Sequence, residues 1–336
     1  MSIANYLISY CKNKCYKNIF TLIASMALLS CCQIGCAVKS RMQVNHNSTT
    51  GQYLIVDDEE PVLQYNYATV EPLEGYLENV HANNLKYAVG RSNYIHPLFG
   101  PEGEQLTLDW SQDHPHHRGI YWAWPEVQYK GKTADLHALQ KVFARPTGKI
   151  KTHNGNDYAE IQAENRWLWD DKTPIVRETA TIRVWPVSET GRHVDLTFEL
   201  LPLVDGVTLA RRATNLYGGL NIRLSAIKEM KLNHYAAPGD SQSQAAWQSA
   251  TGIWTGSPKP VVLAVFEKSD NPDYPGDYVQ YPDLPWFQPT FPRKDTRYEL
   301  KKDKPLVLQY RLWIRSGTEP TQEEYHRQWD IYQNEE

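Results

Sequence analysis

The chain of 336 residues predicts an all-β protein: a large antiparallel β-sandwich over residues 52–318, closed by a C-terminal helix over 319–336. Three observations carry this. Apolar residues recur with period two: Val194, Leu196, Phe198 and Leu200 alternate with His193, Asp195, Thr197 and Glu199, and Leu306, Leu308, Tyr310, Leu312 and Ile314 repeat the pattern. One apolar face at period two marks a half-buried strand. Turn chemistry separates such runs, as at Gly100-Pro101-Glu102-Gly103, Asn154-Gly155-Asn156-Asp157 and Glu189-Thr190-Gly191. Helical periodicity is nearly absent, and many strands with one or two helices imply a sandwich.

The first element is not part of that fold. Lys12, Lys14 and Lys17 precede an apolar run from Ile19 to Ser30, too short to span a bilayer. Residues 1–37 therefore predict an export signal. Leu28-Leu29-Ser30-Cys31 resembles a lipobox, which makes Cys31 the expected lipidated residue; Gly35-Cys36-Ala37 offers an ordinary signal-peptidase site instead. All five cysteines (Cys11, Cys15, Cys31, Cys32, Cys36) lie in this segment. The folded domain thus has no disulfide, thiol nucleophile or cysteine-held zinc. The polar stretch 38–51 reads as a tether.

Strands are then expected at Val62–Tyr67, Leu106–Trp110, Ala159–Trp169, Val176–Val187 and Val261–Phe266, besides the two alternating runs. Ile120-Tyr121-Trp122-Ala123-Trp124 reads as a buried strand. Gly218-Gly219 precedes a strand that places Asn221 and Arg223 on one face; no phosphate loop accompanies the pair. Residues 270–292 are rich in Pro, Tyr and Asp and read as a long aromatic loop carrying Tyr274, Tyr278, Tyr281, Trp286 and Phe291. At the C-terminus, Thr321 and Glu324 have capping-box spacing, and Tyr325, Trp329 and Tyr332 share one helical face.

The chemistry concentrates in Asp113-His114-Pro115-His116-His117-Arg118-Gly119. Histidine titrates nearest neutrality and is the commonest metal ligand; arginine adds a planar fork for a carboxylate. Pro115 sets the cluster on a loop or strand edge. The Gly100–Gly103 turn allows His96 to return toward it. The net charge of −4, without long charged runs, excludes a nucleic-acid partner. Eleven Trp and 21 Tyr against 7 Phe suit a saccharide, since these rings join an apolar face to a polar edge.

Tyr94-Ile95-His96-Pro97, the Asp113–Gly119 motif with its aromatic run, Gly218–Leu224, Asn271-Pro272 and Pro285-Trp286 together resemble the secreted bacterial PmoA-like family, a domain of unknown function, over about residues 60–318. The name points to a membrane-embedded methane oxygenase subunit. It is a poor guide to a chain with no spanning segment beyond its leader. The resemblance implies a β-rich domain of polysaccharide-degrading bacteria, akin to the galactose-mutarotase-like supersandwich. There a sugar lies on a concave sheet, and histidines and acids transfer protons. Similar proteins carry an aspartate–tyrosine pair near Trp247–Gly252; it is absent here.

Two functions are expected to compete. One is an exported glycan-active enzyme, a lyase or hydrolase, using His116, His117 and Arg118 for catalysis and His96, His114, Arg223, Tyr278 and Trp286 for binding. Arg118 would clamp a uronate carboxylate. A hydrolase wants two carboxylates across the bond, for which Glu229 and Glu267 are the nearest candidates. The other function is a non-catalytic glycan-binding lipoprotein. No cofactor is expected; a mononuclear metal site from Asp113, His114 and His116 is the lesser option. The partners are then a saccharide and, through the lipid alone, a periplasmic or outer membrane surface.

Overall fold

The computed structural model describes residues 41–235, 247–281 and 283–335. The expected leader, 1–37, lies outside them. In chain order the strands are β1 (Met42–Asn47), β2 (Gln52–Asp57), β3 (Glu60–Asn66), β4 (Tyr94–Leu98), β5 (Ile120–Ala123), β6 (Glu126–Tyr129) and β7 (Lys132–Ala134). There follow β8 (Val142–His153), β9 (Ala159–Trp169), β10 (Thr173–Val184), β11 (Arg192–Pro202), β12 (Thr208–Ala210), β13 (Gly219–Arg223) and β14 (Ile227–Tyr235). The last are β15 (Trp247–Trp254), β16 (Val261–Glu267), β17 (Tyr278–Tyr281), β18 (Leu284–Pro289), β19 (Tyr298–Glu299) and β20 (Leu306–Ser316), before helix α1 (Gln322–Asn334).

Two eight-stranded antiparallel sheets, ordered β1-β2-β3-β4-β5-β13-β18-β17 and β14-β15-β16-β20-β11-β10-β9-β8, share one hydrophobic core, the large sandwich the sequence predicts. A small sheet, β19-β12-β6-β7, stands beside them. The alternating runs behave as expected: β9 and β11 bury every second residue. In β16 every residue is buried, because Val261, Leu263 and Val265 enter the main core while Val262, Ala264 and Phe266 meet α1. A strand covered on both faces reads as an unbroken apolar run. Thr321 caps α1 with the predicted capping box, and Tyr325 and Tyr332 pack on Trp247, Phe266 and Trp313. No helix among the described residues is long and apolar enough to cross a membrane.

A buried carboxylate joins the sheets. Glu178 on β10 accepts from Trp167 Nε1 (2.6 Å) on β9 and from Trp122 Nε1 (2.8 Å) on β5 of the other sheet. Asn93 Nδ2 adds a third bond at 2.6 Å. A buried charge is tolerated when its lone pairs are filled in this way.

Three expectations are corrected. Residues 42–47, placed in the tether, form edge strand β1, with Met42 fully buried and its N–H donating to Gly155 O at 2.8 Å. Only Val44 joins it against the core and residues 45–47 are exposed, so the strand carries little apolar signal. Residues 106–110 make only bridges, Thr107 pairing with Leu224. The aromatic loop of 270–292 contains the hairpin β17–β18, whose second strand extends the sheet from β13.

Candidate functional site

The loop from Asp113 to Gly119 feeds β5, and its exit needs Gly119. That residue has φ +57°, and an added Cβ would collide with the Ile95 carbonyl. The loop is a tight turn, with His117 N–H donating to His114 O at 2.9 Å. It opens onto a cavity of about 700 Å³. His114, His116 and His117 line it, with Asp113 beside them.

The sheet order brings the far wall close. Strand β13 separates β5 from β18, so Trp286 of β18 faces the loop. Its indole stacks on His117 (centroids 5.7 Å, 20°) and on Tyr281 (5.6 Å, 18°). Tyr217 meets Trp286 edge-on at 6.3 Å. Tyr87 lies 5.1 Å from His116. Arg212 also lines the cavity; it ion-pairs with Asp135 and donates to Tyr217 Oη at 3.3 Å.

The floor of the cluster holds a residue that the sequence reading missed. His137, on the turn between β7 and β8, lies 5.2 Å from the His116 ring and 5.5 Å from the His117 ring. One nitrogen from each of His116, His117 and His137 lies within 4.8 Å of the others. All three side chains are held neutral. Burial, aided by neighbouring cations, pushes His116 down to about 3 and the other two well below the usual histidine range.

Asp113 and His114 form a pair at the cavity. His114 Nδ1 lies 3.0 Å from Asp113 Oδ2. Arg223 Nη2 on β13 holds the same carboxylate at 2.9 and 3.0 Å. The His114 contact first, and Arg223 next among the charges, keep Asp113 well below the usual carboxylate range.

The other predicted residues do not converge here. Arg118 is fully buried and turned away from the cavity: its guanidinium pairs with Asp109, donates to Tyr94 Oη at 2.7 Å and stacks 3.6 Å over Trp110. His96 Nδ1 lies 3.0 Å from Thr107 Oγ1, inside the fold, and burial lowers its pKa. The Tyr278 ring lies tilted against His234, centroids 3.8 Å apart, with its hydroxyl 2.7 Å from His234 Nε2, outside the cavity lining. Arg223 reaches the site only through Asp113. Glu229 and Glu267 are not in the lining, whose carboxylates are Asp113 and Asp283. Of the eight predicted residues, His114, His116, His117 and Trp286 line the cavity.

Residues 53–330 match the model of a family described only as one of unknown function, DUF6807. The chain belongs to that family. No curated protein matches it. Among solved structures, it is similar to a protein named as a kojibiose phosphorylase from the human microbiome (8% identity, TM-score 0.33), covering 65% of this chain and 26% of the phosphorylase. It is also similar to a galactose mutarotase related enzyme from Lactobacillus acidophilus (10% identity, TM-score 0.31), covering 84% of this chain and 99% of that one. At such scores neither likeness bears on the chemistry of the cavity.

Proposed function

We propose that the protein is a saccharide-active enzyme whose reaction centre is this cavity, with His114 as the proton-transfer group and Asp113 as its orienting partner. The Asp113–His114 pair on the wall of an aromatic-sided cavity carries the reading. Because Asp113 engages Nδ1, the imidazole presents Nε2 as its remaining proton-transfer atom. A carboxylate that orients a histidine also stabilises the charged ring formed when it takes a proton. Arg223 holds that carboxylate in turn. The rings of Tyr281 and Tyr217, backed by the buried Trp286, offer flat apolar faces of the kind a sugar ring covers.

Within that class, elimination at a uronate suits these groups best. It needs a base to take the proton from the carbon beside the carboxylate, a cation on that carboxylate while negative charge builds, and a proton for the glycosidic oxygen that leaves as its C–O bond breaks, which the protonated base can return. Arg212, partly exposed at the lining although one of its nitrogens is paired with Asp135, is the cation at hand for that carboxylate, the role the sequence reading gave to Arg118. Hydrolysis by two carboxylates is less well provided for, because Asp113 is engaged by Arg223 and His114.

The test is incubation of the purified protein with neutral and uronate-containing oligosaccharides. Ultraviolet absorbance reports unsaturated uronates, and chromatography reports hydrolysis. His114→Ala should fold normally, since the side chain is 42% exposed, and should lose on the order of a hundredfold or more in rate. A wild type that binds saccharides and turns none over makes the protein a binding module. Full activity in His114→Ala removes the Asp113–His114 pair from the mechanism.

A further inference from the structure

Behind the Asp113–His114 pair lies a set of nitrogens to which proton transfer assigns no role. The Nδ1 atoms of His116, His117 and His137 are all buried, and none has a hydrogen-bond partner among the described residues. A buried ring nitrogen without a partner is unusual; three in one cluster point to something that binds all three.

For His137 the free nitrogen can be shown to be a bare lone pair. The backbone N–H of Gly218 donates to Gln288 Oε1 at 2.7 Å, which fixes the orientation of that amide. Gln288 Nε2 therefore donates to Asn221 Oδ1, at 2.7 Å, while Asn221 Nδ2 donates to Gly219 O at 2.9 Å. Asn221 Oδ1 can only accept, so His137 Nε2, 3.0 Å away, carries the proton, and the Tyr121 hydroxyl, also 3.0 Å from that nitrogen, is left to accept and not to donate. The Nδ1 of a neutral imidazole protonated at Nε2 is then an electron-pair donor. Metal-bound histidines are held in the same manner, the second nitrogen donating to a fixed acceptor that sets tautomer and ring angle.

We infer that His116, His117 and His137 form a binding site for one divalent transition metal of the zinc class. Three imidazoles with a further position left open are a known ligand set for zinc, and imidazole suits its first-row neighbours as well. One ring nitrogen of each histidine lies within 4.8 Å of the other two. Bonds of about 2.0–2.1 Å imply ~3.3 Å between tetrahedral nitrogens, so each ring closes inward by on the order of an ångström. His116 and His117 line the cavity, so the open coordination position faces its occupant. There a cation can polarise a carboxylate or hydroxyl oxygen. Two nearby guanidiniums are already matched by carboxylates, Arg212 by Asp135 and Arg223 by Asp113. Arg91 donates to the carbonyls of Leu136 and His137. The site goes beyond the proposed reaction and is tested without any saccharide.

The experiment uses untagged full-length protein, stripped with chelator and reloaded with Zn²⁺ alone or Co²⁺ alone. Metal content per chain, thermal melting with and without Zn²⁺, and the visible bands of the Co²⁺ form are measured. Wild type should bind one more equivalent than His116→Ala or His137→Gln, and Zn²⁺ should raise the melting temperature of wild type only. The Co²⁺ bands should be those of nitrogen ligation, without thiolate charge transfer. His114→Ala should bind as wild type does. No metal and no Zn²⁺-dependent melting shift in wild type overturns the site. So does loading of both ligand variants to the same level as wild type, which would assign the metal to the N-terminal cysteines. Loss of metal in His114→Ala with retention in His137→Gln would overturn it in favour of Asp113, His114 and His116. Should one ligand variant fail to fold, the other variant and the wild-type Co²⁺ spectrum still decide.

Discussion

Replacing Arg118 should damage folding and leave the chemistry of the cavity alone, the reverse of what its place in the histidine motif suggests. The guanidinium is fully buried. Nε and Nη2 both donate to Asp109, whose side chain is 13% exposed, and Nη2 also donates to Tyr94 Oη at 2.7 Å. Its plane lies 3.6 Å from the Trp110 ring centroid. Removing one partner of a buried ion pair costs about 3–5 kcal/mol, because the other charge stays behind without compensation. The lost cation–π contact adds about 1 kcal/mol. Arg118→Met should therefore lose about 4–6 kcal/mol, or roughly 10 °C in melting temperature at about 2 °C per kcal/mol for a domain of this size. The double variant Arg118→Met/Asp109→Leu should lose less than the sum of the two single changes, since it strands no charge. Urea unfolding followed by tryptophan fluorescence measures all three. An Arg118→Met protein as stable as wild type, yet unable to bind or turn over its saccharide, would show that the guanidinium reaches the ligand and that this reasoning is wrong.

Two further outcomes follow from other parts of the molecule. Burial raises Glu267 from the usual carboxylate range to about 7, although Gly276 N–H donates to it at 2.8 Å. The native state thus holds a proton that the unfolded chain releases above about 4.5, and stability should fall by about 3 kcal/mol as pH rises from 4.5 through 7. Glu267→Gln has no proton to lose, so it should melt above wild type at pH 8, with the gap closing toward pH 5; parallel melting curves at both pH values would refute this. At the cavity rim, Tyr281 is 41% exposed and stacks on Trp286. Tyr281→Ala should leave the melting temperature nearly unchanged and weaken saccharide binding by up to about tenfold, the equivalent of an aromatic contact of about 1.4 kcal/mol. An unchanged dissociation constant by calorimetry would take the aromatic wall out of recognition.

Much of the fold was legible because burial imposes a period on the chain. Strands β9 and β11 each bury one face, and their sequences alternate accordingly; β20 alternates as far as Gln309 and is then buried on both faces through Ile314. Strand β1 was hidden because an edge strand with outward polar side chains has the composition of a tether. The β17–β18 hairpin was hidden because its prolines, Pro285 and Pro289, read as loop chemistry. The β5-β13-β18 order was not legible at all: pairing between strands far apart in the chain leaves no local pattern, and it is this pairing that sets Trp286 against the histidine turn.

The site was legible at its loop and misread in its directions. A metal site from Asp113, His114 and His116 would have His114 and His116 on one face, as residues two apart are in an extended segment. The segment is a turn, closed by the bond from His117 N–H to His114 O, and the period-two rule fails there. His116 and His117 instead turn toward His137, while His114 pairs with Asp113. His137 had no local signal, being a lone histidine in the Asp135–Gln140 turn. The strand that organises these groups had been noticed for another reason. Asn221 and Arg223 share a face of β13; the first fixes the tautomer of His137 and the second holds the carboxylate that orients His114. Two adjacent same-face positions on one central strand thus brace both His137 and the Asp113–His114 pair. A site braced in this way holds its geometry from the sheet and not from the loop that carries its histidines.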